Sequence, residues 1–451
     1  MMDLFDASET DSSENDEDSE SESESTECSV KTPHREFWVN DEVVNERSGH
    51  VSVVYTDQLI VWGGIDRNKY KFLPAQQLFC YSLEAETWTC WRTGGQIPPG
   101  RSGSSACIVD THMYIICGYD EDVSNRTSRM WSLDLKRMAW IHLEPKGQLP
   151  LNCDKGAGWV FGEKIFIFGG FGPSPTSQDQ PGLQLFDFTE MNDEVSRELS
   201  GWSNQFVCYD PSTNTWEWPK THGRPPLPRA GHAVAIVRDH AYIFGGRHGN
   251  CRLSDLHRIS MKSMTWETIH LDSSAPIPPG RSWHSMVNLG VGSDTLLLFG
   301  GYSESDTPLK DSWQIDTSAK SPVWTKSSHS FPRSLWWHTM EVIGSSVVVI
   351  GGLHSEHCHP RQCLILDLQP LPLTHICHKA LRHDMDFHLR NKSLLDLPRS
   401  LLSVILSQKL TISSNNYENM RKLAEATQEL EISRQLLKRI RRFCKRYPHK
   451  S

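Results

Sequence analysis

Short apolar runs alternate with polar turns along most of this chain, and one kind of run returns at a nearly fixed interval. It is rich in β-branched and aromatic residues and closes on a glycine pair: VWGG (61–64), FIFGG (166–170), YIFGG (242–246), LLLFGG (296–301) and VVIGG (348–352). YIICG (114–118) is a degenerate copy with Cys117 in the first glycine position. The first positions fall at 63, 117, 169, 245, 300 and 351, so the intervals are 54, 52, 76, 55 and 51 residues. Downstream of each pair an apolar residue precedes a Trp by seven positions in four copies: Tyr81/Trp88, Leu133/Trp140, Tyr209/Trp216 and Ile259/Trp266. From Ile315 to Trp324 the gap is two longer. Upstream lies a polar opening turn: RSGH (47–50), RSGSS (101–105), RAGH (229–232), RSWHS (281–285) and LWWHT (335–339). Each unit therefore predicts strand, glycine pair, loop, strand, turn, Trp-bearing strand and a Pro-rich connection.

A four-stranded unit of this kind cannot cover both its faces alone, and stacking such units radially buries them and leaves short edges. The glycines suit backbone crowded near an axis, and the Trp with its partner suits the space between units. A sandwich or solenoid is the alternative, disfavoured by the regularity. The long third interval places an insertion at 171–201, which in a ring of such units maps to one face. The sixth unit, LILDL (364–368), lacks a following Trp, and a strand around Phe37, Trp38 and Val39 is the expected closure of the ring.

This pattern resembles the kelch repeat of about 50 residues. The resemblance implies an all-β, six-bladed propeller over 36–368, followed by a short helical segment. Residues 1–35 are expected to be a disordered acidic tail. Residues 1–30 hold 12 acids and no Lys or Arg, leaving 43 acids against 46 bases in the remainder, so the net charge of −9 belongs to the tail. Its serines could take phosphate. There is no 18-residue apolar run and no basic-then-apolar N-terminus, so no membrane span or secretion is expected. The 12 Cys are scattered and fit reduced thiols in the cytoplasm or nucleus.

Three residues of the fourth and fifth units carry the candidate chemistry. Arg247 follows a glycine pair, Arg252 lies five residues on, and Ser282 opens the next unit. Two guanidinium forks and a hydroxyl converging on a channel mouth suit a carboxylate. Trp283 and Trp202 would supply apolar walls. The run GGR-x4-R-x-x-DLH (245–257), RSWHS, and Asp154, Lys155 and Trp159 resemble the kelch-containing substrate receptors of cullin–RING ubiquitin ligases that bind C-terminal glycine degrons. By that resemblance Arg247, Arg252 and Ser282 would hold the terminal carboxylate, with Lys155, Trp202, Trp283 and Phe171 lining the pocket. Phe171 stands where those receptors usually carry Tyr.

Beyond the repeats, Leu373, Cys377 and Leu381 recur every four residues, and Leu397–Pro398 precedes Leu401. Within 369–410 these resemble an elongin-binding box and a cullin box, implying elongin B/C and cullin-2 as partners by helix-in-groove binding. A short helix packed on the propeller is the alternative. The tail 411–451 turns basic (KRIRRFCKRY, 438–447), which suits an acidic partner, nucleic acid, membrane, a nuclear signal or simply a solvated helix face; neither nucleic acid nor membrane is the expected partner. No cofactor or catalysis is expected. The loop HSEHCHPRQC (354–363) has metal-ligand types without a standard spacing, and Ser282 with His284 lacks an orienting acid. The expected role is a non-catalytic receptor of a ubiquitin ligase. A kelch scaffold for cytoskeletal or signalling partners is the alternative.

Overall fold

A computed structural model describes residues 34–39 (backbone), 44, 46–66, 69, 71–83, 87–175, 187–190, 199–271, 275–290, 292–327, 331–354 and 363–368. The acidic tail, most of the 171–201 insertion and everything after 368 lie outside the described residues.

Six sheets follow one another, antiparallel except for a short parallel outermost pairing in the second and third, and each begins with an inner strand: Val51–Tyr55, Ser105–Val109, Ala157–Phe161, Ala233–Val237, Ser285–Asn288 and Thr339–Ile343. These inner strands touch in a closed cycle, the sixth against the first, which makes a six-bladed propeller. The apolar runs are continuous because both faces of each blade are covered. In blade one, Ile60 and Trp62 pack toward Met113 and Ile115 of blade two. Leu59 and Val61 on the opposite face pack toward Val348 and Ile350 of blade six. Six such clusters, one at each seam, form the core of the described residues. The repeating Trp bridges seams as its spacing suggests. Trp140 meets Trp62 of the blade before it at 5.3 Å, Trp266 meets Phe168 at 5.2 Å and Trp324 meets Phe244 at 5.2 Å.

The N-terminal strand does not close the ring. His34–Val39 pairs antiparallel with the Trp-bearing strand Thr87–Arg92 of its own first blade, adding a fifth, outermost strand. That edge would otherwise offer unpaired backbone groups. Blade six has three strands among the described residues, and its seam with blade one is packed by side chains, Val44 included, and joined by the Gly352 N–H to Arg47 O hydrogen bond at 2.8 Å.

Four of the five glycine pairs are explained by the histidine of the opening turns, while Gly63 faces the Arg101 carbonyl instead. A Cβ on the first glycine would meet the imidazole of the next blade: His232 at 2.8 Å from Gly169, His284 at 2.9 Å from Gly245. A Cβ on the second would meet the imidazole stem of its own blade, as His284 at 2.8 Å from Gly301. Cys117 is the exception that fits the rule. The next blade carries Gly156 where four of the others carry His and one carries Ser104, so the slot is open for a side chain.

Candidate functional site

At one end of the channel the six opening turns meet in an annulus of peptide hydrogen bonds. The N–H of Gly103 donates to Gly49 O (2.8 Å), Lys155 to Gly103 (2.7 Å), Gly231 to Lys155 (2.8 Å), Trp283 to Gly231 (2.7 Å) and Trp337 to Trp283 (2.8 Å). Gly49 N–H closes the circle on Trp337 O at 3.4 Å. All six residues have positive φ, between 57° and 65°. Three are glycines, and a Cβ there would press on the large side chain of a neighbour: Trp337 at 3.0 Å from Gly49, Lys155 at 3.4 Å from Gly103, Trp283 at 3.0 Å from Gly231. Lys155, Trp283 and Trp337 hold the same backbone conformation at a cost of order 1 kcal/mol each. Three of the six positions thus keep this strain with a full side chain, which makes this end of the propeller the candidate working one. Gly231→Ala is expected to lose about 1–2 kcal/mol of stability and to displace the Trp283 ring. Equilibrium urea unfolding with Trp fluorescence checks both.

Side chains continue the circle above this floor. Arg247 stands over the Trp202 ring (5.7 Å), which meets Phe171 edge-on (5.0 Å). Lys155 Nζ lies 6.0 Å from Phe171 and 5.9 Å from Trp337. Trp337 stacks on Trp283 (5.9 Å), Trp283 meets Tyr302 (6.3 Å), and Tyr302 lies under Arg252 (5.0 Å). Arg252 and Arg247 are directly opposed across the small hairpin Arg247–His248/Cys251–Arg252, which closes the circuit. Opposed residues of a hairpin project from one face, so the two guanidinium groups share the mouth.

The polar contacts inside this cup are specific. Arg252 Nε donates to Ser282 Oγ (3.0 Å), and Arg252 Nη1 donates to Ser303 O and to Asp306 Oδ1, both at 2.8 Å. Asp306 is 67% exposed while Arg252 is nearly covered, so the acid is the replaceable partner. Arg247 Nε donates to Gly249 O at 3.0 Å. Lys155 pairs with the buried Asp154, whose backbone bridges to Phe171.

All seven residues proposed for this pocket from sequence therefore stand on one circuit: Arg247, Arg252, Ser282, Trp283, Lys155, Trp202 and Phe171. Tyr302 and Trp337 were not anticipated, nor was Asp306. Two recurring positions would have found the first two. Position three of the opening turn supplies Lys155, Trp283 and Trp337; the residue after each glycine pair supplies Tyr119, Phe171, Arg247 and Tyr302. The elongin and cullin residues, Leu373 to Leu401, lie outside the described residues. Among the described residues no group of three or more His, Cys, Asp or Glu could hold a metal ion. Ser282 and His284 are engaged elsewhere, the serine with Arg252 and His284 Nε2 with the Phe244 carbonyl at 3.2 Å.

With the geometry described, comparison with known proteins identifies the architecture. The KLHDC2/KLHL20/DRC7 Kelch-repeats domain family matches residues 49–292. This chain belongs to that kelch-repeat family. Kelch domain-containing protein 2 of Bos taurus is 33% identical over 74% of this chain and 84% of its own length. Kelch domain-containing protein 1 of Homo sapiens is 31% identical over 86% of this chain and 96% of its own. The fold is also that of the solved structure of YjhT, with a TM-score of 0.54 and 14% identity over 71% of this chain and 98% of that one. These relatives support a kelch propeller that binds a substrate, with no catalytic family indicated.

Beneath the annulus the kelch channel holds a cavity of about 200 Å³ lined by all six inner strands, including His50, His284, His338 and Glu341. Burial holds the imidazoles of His232 and His338 down to about 3 and that of His284 well below its usual range. Burial, partly offset by a hydrogen bond from Ser52, pushes the Glu341 carboxyl up to about 7. The unfolded chain takes protons on these imidazoles below about pH 6.5, whereas in the folded chain His232 and His338 do not until about pH 3 and His284 is held down in the same direction. The histidines therefore cost stability as pH falls through that window. Glu341 acts oppositely, because the folded chain keeps a proton between about 4.5 and 7 that the unfolded chain has lost, and stability falls there as pH rises. Three imidazoles outweigh one carboxyl. The melting temperature is expected to fall from pH 6.5 to pH 5, and His338→Gln to flatten that slope in a pH series of thermal melts.

Proposed function

We propose that this propeller is a substrate receptor that captures the C-terminal carboxylate of proteins ending in glycine and presents them to a cullin–RING ubiquitin ligase. The carrying observation is the cup itself: Arg247, Arg252 and Ser282 share a mouth walled by Trp202, Phe171, Trp337, Trp283 and Tyr302. Paired guanidinium groups match a carboxylate's two oxygens, and the rings exclude the water that would screen them. A terminal glycine, which carries no side chain beyond Cα, would suit a floor of peptide groups and large rings. The boxes around Leu373–Leu381 and Leu397–Leu401 would recruit elongin B/C and cullin-2, and the receptor would work in the nucleus and cytoplasm. The propeller would hold the substrate while other subunits transfer ubiquitin.

Titration of matched C-terminal peptides, free acid against amide, tests the capture step. Equal affinity of the two forms would remove the carboxylate reading. Co-purification with elongin B/C tests the ligase step, with Leu373→Asp/Cys377→Asp as the expected loss; intact association would leave a carboxylate-binding scaffold instead. Asp306 supplies a further expectation. Its exposed carboxylate occupies the Arg252 position that a ligand would take, so Asp306→Asn is expected to raise affinity for free-acid peptides about three- to tenfold. Calorimetric titration of both proteins with one peptide checks this.

A further inference from the structure

Arg126 is a cation of the cup that the carboxylate site does not use. It lies on the short strand Asn125–Arg126, opposite Tyr119, on the rim supplied by blade two. Its guanidinium covers the Phe171 ring at 4.8 Å and the Tyr119 ring at 5.8 Å, so it extends the same aromatic circuit outward. Unlike Arg247 and Arg252, it makes no side-chain hydrogen bond among the described residues, and its buried Nε has no acceptor. The nearest acid is Asp154, whose Oδ1 lies 3.7 Å away, beyond hydrogen-bond reach, and is itself unsatisfied. The other oxygen of Asp154 is taken by Lys155. Two cations thus share one carboxylate and leave donor groups unused, while the acids of the same turn, Glu121 and Asp122, make no ion pair with Arg126 among the described residues.

Resting on the carboxylate reading of Arg247 and Arg252, we propose that Arg126, with Lys155 beside it, forms a second subsite that selects an acidic side chain shortly before the C-terminus. The substrate class is then a protein tail ending in glycine with Asp or Glu upstream of it. The spacing is bounded by contact. Steps of 4.8, 5.0 and 5.7 Å through Phe171 and Trp202 join Arg126 to Arg247. That path puts the two cations within about 16 Å, the length of four to five extended residues. A peptide anchored at Arg252 and Arg247 therefore brings one of its last few side chains to Arg126. The Phe171 ring beneath it fixes the guanidinium plane, so the fork is already oriented for a bidentate carboxylate.

Fluorescence polarisation with ten-residue free-acid peptides ending in glycine tests this, with Glu, Ala or Lys placed singly at each of the four preceding positions. At one or two of those positions Glu is expected to bind roughly tenfold tighter than Lys. Arg126→Gln is expected to bring the ratio close to one, and Arg126→Glu to invert it. Equal affinities for Glu and Lys at all four positions in the unmodified protein would overturn the subsite, whatever the stability of the variants. A Glu preference surviving Arg126→Gln would overturn it as well. If the amide forms of these peptides bind as tightly as the acids, the carboxylate reading itself fails, and the subsite with it.

Discussion

Arg252→Ala is expected to abolish measurable capture of a C-terminal peptide while leaving the propeller folded. Arg252 is covered, donates to Ser282 Oγ, Ser303 O and Asp306, and rests on Tyr302. Removing one partner of a desolvated charge pair costs about 2–5 kcal/mol, because the ligand carboxylate would then enter a low-dielectric cup without its counter-charge. That is a loss of about 30-fold to several thousandfold. The folded protein loses less. Asp306 is mostly exposed and simply rehydrates, leaving the Ser303 carbonyl and the Ser282 hydroxyl to find water, at about 1–3 kcal/mol. Arg252→Lys separates charge from shape. One ammonium cannot reproduce the Nε and Nη1 donors together, so binding is expected to stay about tenfold or more below the unmodified protein. Isothermal titration gives the binding change and urea unfolding the stability change. A fall in stability matching the fall in affinity would mean that Arg252 serves the fold rather than a ligand.

The contrast between what was and was not legible in the sequence follows from what the repeat constrains. Glycine pairs at 63, 169, 245, 300 and 351 recur because each must clear a histidine or backbone at a seam, and a constraint met in every blade writes itself as periodicity. Cys117 breaks the pattern, and only the packing shows why: Gly156 vacates the opposing slot. The cup works the other way. Its residues occupy shared positions but differ from blade to blade: Lys155, Trp283 and Trp337 in one position; Tyr119, Phe171, Arg247 and Tyr302 in the other. A search for sameness finds the scaffold and passes over the site. Arg247, Arg252 and Ser282 stand out in the sequence by their chemistry as candidates, whereas for Trp337, Tyr302 and Asp306 only the fold shows which of many aromatic and acidic residues face the mouth. The N-terminal strand was misplaced for a related reason, since a lone β-run carries no mark of which open edge it will join.

A second large effect is expected deep in the fold, at Arg281. Its side chain is fully covered and donates from Nη1 to Gly300 O, from Nη1 and Nη2 to the two Asp311 oxygens, each at 2.9 Å, and from Nε to Pro279 O at 3.1 Å. Burial works against the Asp311 carboxylate, and the Arg281 guanidinium, helped by the Trp313 N–H, still holds it below its usual range. Arg281→Ala would strand that carboxylate and a glycine-pair carbonyl and open a cavity, a loss of about 3–5 kcal/mol. A ring buried seam by seam should not absorb this locally, so thermal unfolding is expected to stay a single transition at a much lower temperature. The same position shows how the loss can be offset. Blade three carries Cys153 there, and the buried Gln205 donates to the Gly169 carbonyl instead, at 3.1 Å, with no acid to neutralise. Blade six carries Leu335, likewise without a cation. Arg281→Leu combined with Asp311→Asn removes both charges together and is expected to recover more than half of the lost stability. If the double variant is no more stable than Arg281→Ala, the cost lies in the cavity and the unpaired carbonyl rather than in the orphaned charge.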